Sequence, residues 1–440
     1  MERILPFRAL RYNKNIVGNL SAVLAPPYDI ISKQKQQKLY DSHPFNVVRL
    51  EYGLKSENDN DADNRYTRSA EILSEWMRSG VLVPDRQPAI YIYGQDFELE
   101  DGRQLSRTGI MCLVRLDEFE MGTVLPHQET VVGAKNDRLS LMTACGANFS
   151  PVCALYEDCK SSLSGIVKEV IAQTPETTVT TADDVVQKLW VVTDCEIITE
   201  ITAALEDKKF FLADGHHRYE TALNYRNLMQ SENPDQMDNE LYNYTMMFLE
   251  DIADPGIVIF PTHRMIRSLV GYSEQGVISQ LSENFDIVRI DTDDIEASTR
   301  TKLGENTDIP SFAMYTGKDY YYLLRLKNFA AADNANADKS AAFRHLDVTV
   351  LHSLVLGKVF GMTEADLKNQ GYLSYTRDIS EAVSEVKNGT FQCCFMLNPT
   401  KIHQIKDIAL GGEKLPQKST YFYPKLITGL LMNKFNQGKE

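Results

Sequence analysis

No stretch of this chain approaches the roughly 20 consecutive apolar residues that a bilayer-spanning helix needs. The opening residues, Met1-Glu2-Arg3-Ile4-Leu5-Pro6-Phe7, lack the apolar centre of a secretory leader. A cytoplasmic protein with no membrane partner is therefore expected. Positive charge is in short supply: 46 Lys and Arg stand against 61 Asp and Glu, a net charge of −15. That balance disfavours a general nucleic-acid binder. It does not disfavour a small anionic ligand, because charges more than about 8 Å away are largely screened at physiological salt. The seven cysteines (112, 145, 153, 159, 195, 393 and 394) are an odd set without paired metal-ligand spacing. Reduced, mostly buried thiols are expected, and Cys393-Cys394 lies in an apolar run that suits packing better than redox chemistry. Phosphate-loop, dinucleotide-fold, zinc-helix and nucleophile-elbow signatures are all missing, so a nucleotide site here is not of the common glycine-loop kinds. There are no tandem repeats and no heptads.

What is present begins with Asp214-Gly215-His216-His217-Arg218, set between the apolar run Phe210-Phe211-Leu212-Ala213 and a helical-looking stretch from Tyr219 to Leu228. A short buried strand, a glycine turn and a helix start make an anion-binding corner. The first backbone N–H groups of a helix have no partner inside it, and the helix dipole adds partial positive charge. Gly215 lets backbone approach a ligand, Arg218 can fork onto phosphate oxygens, and His216 and His217 supply donors or acid/base groups. Asp214 can orient a histidine or hold magnesium. The competing reading is an N-cap aspartate followed by surface polar residues.

With 440 residues there is room for two or three domains. Strands and helices alternate, so the expected class is α/β (α+β mixed) with mixed sheets. Ser32 is expected to cap a helix near Ser32–Tyr40, and Val47–Tyr52 alternates like a strand. Arg65 to Arg78 has helical apolar spacing, and Ala89–Tyr93 with Gly109–Leu116 suggests a hairpin around Asp101-Gly102. Further strands are expected at Tyr244–Leu249, Phe285–Ile290, Phe312–Tyr315 with Tyr320–Leu326, and Gln392–Leu397. Helices are expected at Asp347–Phe360, Asp378–Lys387, Ile402–Leu410 and from Lys425 onward. Ala330 to Ala342 is the clearest compositional break. It divides the chain into a main region at 1–330 (lobes 1–160 and 161–330), a connector or flexible insertion at 331–342, and a smaller α/β subdomain at 343–440.

Pro126-His127-Gln128-Glu129-Thr130, followed by Lys135, Asp137 and Arg138, gathers bases for a phosphate acceptor and cations for developing charge. A solvated loop with local ion pairs is the alternative. Ala25-Pro26-Pro27-Tyr28-Asp29 is either a rigid turn or a wall presenting Tyr28 or Asp29. The stretch from Lys418 to Lys425 mixes cations, hydroxyls and aromatics. Micromolar affinity needs about 8 kcal/mol, whereas a charge-assisted bond gives about 1.5–3 kcal/mol. A second cationic segment must therefore join Arg218, with Lys135/Arg138 and Lys418/Lys425 as candidates.

Taken in order, Ile4–Leu10, Ala25–Asp29, Pro44-Phe45-Asn46, Pro126–Thr130, Lys135 with Asp137-Arg138, Asp214–Tyr219 and Pro416–Leu426 resemble the bacterial and archaeal family called domain of unknown function 1015. Gln128 departs from the Glu expected there, which leaves Glu129 as the safer carboxylate. The Asp214–Arg218 turn, with Ala222 four residues on, is similar to the D-G-x-x-R-x-x-x-A turn of the ParB/sulfiredoxin superfamily, which includes an ADP-dependent free serine kinase. That resemblance implies a ParB/sulfiredoxin-like nucleotide-binding core, ADP or ATP as ligand, and Mg2+. The tendency of that family to be encoded near serine-biosynthesis genes further implies serine or phosphoserine as the small substrate. The leading expectation is a nucleotide- and magnesium-dependent phosphotransferase. In it His127, Glu129, His216 and His217 are catalytic; Gly215, His216, Arg218, Lys135, Arg138 and Lys418 bind phosphate or nucleotide; and Asp214 meets the metal. A phosphomonoester hydrolase and a non-enzymatic nucleotide-binding regulator are the rivals. Partners are then a phosphate-bearing metabolite and a nucleotide, with a homo-oligomer left open.

Overall fold

The computed structural model describes residues 2–130, 132–233, 240–305, 307–368, 371–416 and 418–435. It is a mixed α/β protein that divides into two compact units. One comprises the chain up to Pro126, Thr130–Ile257 and the segment from Pro424; the other comprises His127–Glu129 and Val258–Tyr423.

The first unit is built on a mixed sheet. Its strand order is Val124–Leu125, Phe210–Asp214, Val152–Tyr156, Tyr244–Asp251, Gln104–Arg115, Ile90–Glu98, Val186–Val192 and Thr177–Thr180, with Ile4–Leu5 added beside Val114. Phe210–Asp214 runs parallel to Val124–Leu125, and Tyr244–Asp251 runs parallel to Val152–Tyr156; the other pairs are antiparallel. The central strands are apolar on both faces, as in Ile90–Tyr93 and Met246–Leu249, because helices and loops cover both sides. Gly109 lies where a Cβ would come 2.5 Å from the Phe248 ring, so only glycine fits there. The expected hairpin forms with longer arms, and Arg65–Arg78 is a helix with a capping box at Asn64. Ser32 caps Lys33–Ser42 as expected.

Two expectations fail in this unit. Val47–Tyr52 is not a strand; Val48–Glu51 is a short helix with Val48, Leu50 and Glu51 all buried. A helical turn carries both the Glu51 carbonyl and its carboxylate to Arg138, which alternating strand geometry cannot do. No helix starts at Lys425 among the described residues, and residues past 435 lie outside them. Residues 424–435 instead run through bridges Ala25–Thr428 and Leu10–Met432, then the short strand Asn433–Lys434 against Ala147–Asn148. Leu426, Ile427, Leu430, Leu431 and Met432 are all buried, so this segment has no solvent face for an amphipathic helix to use.

The second unit holds an all-antiparallel six-stranded sheet. Its order is Phe285–Asp291, Tyr320–Leu326, Ser311–Lys318, Cys393–Leu397, His263–Ile266 and Leu373–Thr376. Alternate residues feed two cores. Phe312, Met314, Leu324, Cys393, Phe395 and Leu397 pack on one face with Leu351, Leu354 and Val355. Ala313, Tyr315, Leu323, Cys394 and Met396 pack on the other with Leu303, Ile379 and Val386. Cys393 and Cys394 thus belong to opposite faces, and burial pushes the Cys393 thiol up to about 12. The Ala330–Ala342 segment is neither a connector nor an insertion at a domain boundary. It forms helices Ala330–Ala335 and Ala341–Arg344, and Ala332 is fully buried in the core. Ala332 packs inward while Ala330, Ala335, Ala337, Ala341 and Ala342 are exposed, and the boundaries near 330 and 342 fall inside one unit.

Candidate functional site

Strand Phe210–Asp214 ends at Gly215, which adopts φ +86° and starts the helix His216–Glu232. That left-handed conformation turns the chain from sheet to helix in one residue. Gly215 provides no side-chain cap, and the first intrahelical bond is Tyr219 N–H to Gly215 O at 3.0 Å. Tyr219 anchors this start: its hydroxyl donates to Asp117 O at 2.8 Å and its ring stacks on Phe119.

Asp214 lies between two cations. Arg218 Nη2 donates to its Oδ2 at 2.7 Å and Lys425 Nζ to its Oδ1 at 2.6 Å. Burial works against ionising Asp214, but Lys425 and Arg218 outweigh it and hold its carboxyl well below the usual carboxylate range. Asp214 therefore stays ionised between its two cations, and the Asp29 carboxylate also acts on Arg218. Arg218 is 9 % exposed. Burial would lower its pKa, but Asp214 and Asp29 more than compensate. Its other terminal nitrogen donates to Pro151 O, so the fork is already engaged and does not face outward as a bidentate clamp.

Around this corner, His217 is half-buried, and burial lowers its pKa; Glu220 and Asp29 pull it up, and Lys135 and Arg218 push it down. Its imidazole is therefore neutral at pH 7. His216 is buried at 5 % exposure on the inward side of the same helix. Exposed Asp29 follows Tyr28, whose ring lies under the Arg138 guanidinium at 4.1 Å. Burial pushes the Tyr28 phenol up to about 12, so it stays protonated.

The sequence-based candidates separate into two groups. Asp214, Gly215, His216, His217, Arg218, Lys135 and Arg138 belong to the first unit; His127, Glu129 and Lys418 belong to the second. Lys135 and Arg138 are not open phosphate ligands. Lys135 pairs with Glu220 at 2.7 Å, and Glu220 also accepts from Thr130. Arg138 donates to Asp137 through Nε and Nη2 and to Glu51 O through Nη1 at 2.8 Å. These bonds fix loops on each other, and every donor taken this way is lost to a ligand. His127 is fully buried, with Nε2 3.0 Å from Thr420 Oγ1, which removes it from contact with any solvent-borne substrate. Glu129 is exposed, its N–H bonded to Leu415 O. Lys418, also exposed, has φ +60°. The cation that joins the corner is Lys425, from the second of the two candidate segments. The energetic shortfall pointed to such a group, but the assumed terminal helix obscured how it arrives.

Magnesium does not fit Asp214 in this arrangement, because both oxygens already accept from cations. Among the described residues there is no group of three or more His, Cys, Asp or Glu side chains arranged to hold a metal.

The corner and its mixed sheet define an α/β protein with an electropositive helix start at a strand end. The chain belongs to the DUF1015 family of proteins of unknown function, whose sequence profile matches residues 4–349. No curated protein matches the sequence. Distantly similar solved structures include a conserved hypothetical protein from Pyrococcus furiosus, at 12 % identity and TM-score 0.34, covering 72 % of this chain and 92 % of that one. A free serine kinase variant in complex with ADP aligns at 13 % identity and TM-score 0.34, over 71 % and 87 %. A C-terminally truncated SbnI from Staphylococcus aureus aligns at 11 % and 0.36, over 75 % and 90 %. Among the described residues, no helix is long and apolar enough to cross a membrane.

Proposed function

We propose that the Asp214–Arg218 corner binds the phosphate of a nucleotide and that the protein transfers a phosphoryl group to or from a small hydroxyl metabolite, with serine and phosphoserine as the first substrates to test. The observation that carries this is the side-chain-uncapped helix start beside a carboxylate held by both Arg218 and Lys425. The cluster lies at a strand end, where backbone N–H groups and a helix dipole favour an anion. The D-G-x-x-R pattern of the ParB/sulfiredoxin kind supports the same reading.

In this account the amides of residues 216–218 receive phosphate oxygens. Arg218 and Lys425 supply charge from behind, through Asp214, rather than by a direct fork. Neutral His217 takes the proton from the attacking hydroxyl as its oxygen bonds the terminal phosphorus, while the P–O bond to the rest of the nucleotide breaks and the shortened nucleotide leaves with that electron pair. His216, buried, positions the helix. Asp29 is the solvent-facing carboxylate of the same corner, available to orient the hydroxyl substrate or the His217 proton.

Calorimetric titration with ADP, ATP and CTP, with and without magnesium, tests the proposal on the intact protein, on Arg218→Ala and on Lys425→Met. Nucleotide binding that weakens in both variants is the expected result. No heat with any nucleotide removes the reading. Release of phosphate from phosphoserine without nucleotide replaces it with a hydrolase.

A further inference from the structure

The second unit contains a cleft of about 410 Å³, within the size range of small-ligand sites. Its wall carries Lys339, Lys414, Lys418, His352 and Thr349, together with the Glu129 carboxylate. Behind His352 and Tyr375 lies Arg264, completely buried. Its Nη1 donates to Thr262 O, and Nη2 lies 3.5 Å from both His352 Nε2 and Lys418 O. Its Nε has no hydrogen-bond partner among the described residues, and no carboxylate pairs with it there. Tyr375, 5.4 Å from the guanidinium to its ring centre, is the group that favours the charge.

A buried arginine without a counter-ion is costly and rare. Burial lowers the Arg264 pKa to about 10, so it remains charged at neutral pH. Its neighbour cannot neutralise it, since burial and Arg264 together lower His352 to about 3 and leave that ring uncharged. A second polar atom on the same wall is also unsatisfied. Thr349 Oγ1 is buried without a bond among the described residues, although Thr349 lines the cleft. The helix carrying both residues continues from Asp347–Val350 into a wider π-type turn at Leu351–Gly357, a distortion frequent at binding sites. Lys414 and Lys418 on the wall, with Arg264 behind it, bring cationic side chains together in a protein whose net charge is −15, while Lys339 pairs with Asp338 at 3.5 Å. Phe343, Met362 and Leu367 supply an apolar side to the same space.

We infer that this cleft binds a small organophosphate, its phosphate at Lys418, His352 and Thr349 in front of the buried Arg264, and its apolar body against Phe343, Met362 and Leu367. Lys418 on the wall and the counter-ion-free Arg264 behind it favour a multiply charged phosphate over a monocarboxylate. This site does not depend on the Asp214 corner, and the two can be tested apart.

Inorganic pyrophosphate is the probe, titrated calorimetrically at low salt into the intact protein and into Lys418→Met, Arg264→Met and Lys425→Met; acetate serves as the monocarboxylate control. One binding event should weaken about tenfold or more in Lys418→Met and in Arg264→Met while persisting in Lys425→Met. Because Arg264 has no protein counter-ion, Arg264→Met should fold with undiminished thermal stability while losing the ligand. A merely structural arginine would behave in the opposite way. Pyrophosphate binding unchanged by Lys418→Met and Arg264→Met, absent altogether, or matched by acetate overturns the inference. Loss confined to Lys425→Met would support the corner and reject the cleft.

Discussion

Gly215→Ala separates a corner built for close approach from an ordinary helix start. Gly215 sits at φ +86°, where a residue with a side chain pays about 1–2 kcal/mol. A Cβ there would lie 2.9 Å from Arg218 Nε and 3.0 Å from its Cζ and Nη2, nearer than side chains pack. The guanidinium must slide, and the bond to Asp214, 2.7 Å and charge-assisted, weakens. Losing part of an interaction worth about 1.5–3 kcal/mol brings the expected total to about 2–4 kcal/mol. The chain has two tryptophans, Trp76 and Trp190, both buried and both in the first unit. Tryptophan fluorescence during urea unfolding therefore reports on the unit that contains the corner. Gly165→Ala is the control: Gly165 lies inside helix Ser162–Ile171 with open space around it, and alanine there should gain about 0.5–1 kcal/mol. A Gly215→Ala protein as stable as its parent, with unchanged nucleotide binding, would refute the strained-corner argument.

Lys425→Met removes one of the two cations that hold Asp214 ionised. A carboxyl with a depressed folded-state pKa contributes stability above its unfolded value of about 3.9. That stability is lost as pH falls through the folded pKa, so the variant should unfold at a higher pH in an acid titration followed by circular dichroism. Under the proposed function, His217→Asn should lower kcat about 10²–10⁴-fold in a coupled phosphotransfer assay. Because His217 is neutral at pH 7, the parent rate should fall only below the ordinary imidazole range; an unaltered kcat in the variant assigns the proton to another group. Glu250→Ala should cost about 3–5 kcal/mol in urea unfolding, because it strands the Arg107 charge. Arg107 and Glu250 are 1 % and 0 % exposed, and Arg107 Nη1 also holds Pro424 O at 3.0 Å. A change below about 1 kcal/mol would mean that water or another group takes the place of the carboxylate.

Local rules made the corner legible. An apolar run, Asp-Gly and a polar helix start specify strand, left-handed turn and helix without tertiary information, and the structure follows them from Phe210 to Glu232. Long periodic helices such as Arg65–Arg78 and the hairpins were readable for the same reason. Roles that depend on distant partners were not. Arg138 reads as a free cation in sequence, yet Glu51, Asp137 and the Tyr28 ring, remote or adjacent, take up its guanidinium. Lys425 was flagged as a cation, but its extended path to Asp214 depends on bridges to residues near 10 and 25. Arg264 carries no local signal of its role in the sequence. Its isolation is a property of the folded sheet, and a sequence carries no record of a carboxylate that fails to arrive. Alanine-rich composition at 330–342 reads as a loose connector, but alanine is also the best helix former, and here it builds two short, largely exposed helices anchored by Ala332 and Phe343.

The most direct test is a crystal structure of the intact protein grown with tungstate, a heavy tetrahedral analogue of phosphate whose anomalous signal marks its own position. The account predicts a peak at hydrogen-bond distance from the amide nitrogens of residues 216–218, with Asp214 still held by Arg218 and Lys425. Those amides filled by protein carbonyls, with tungstate elsewhere or absent, would contradict it.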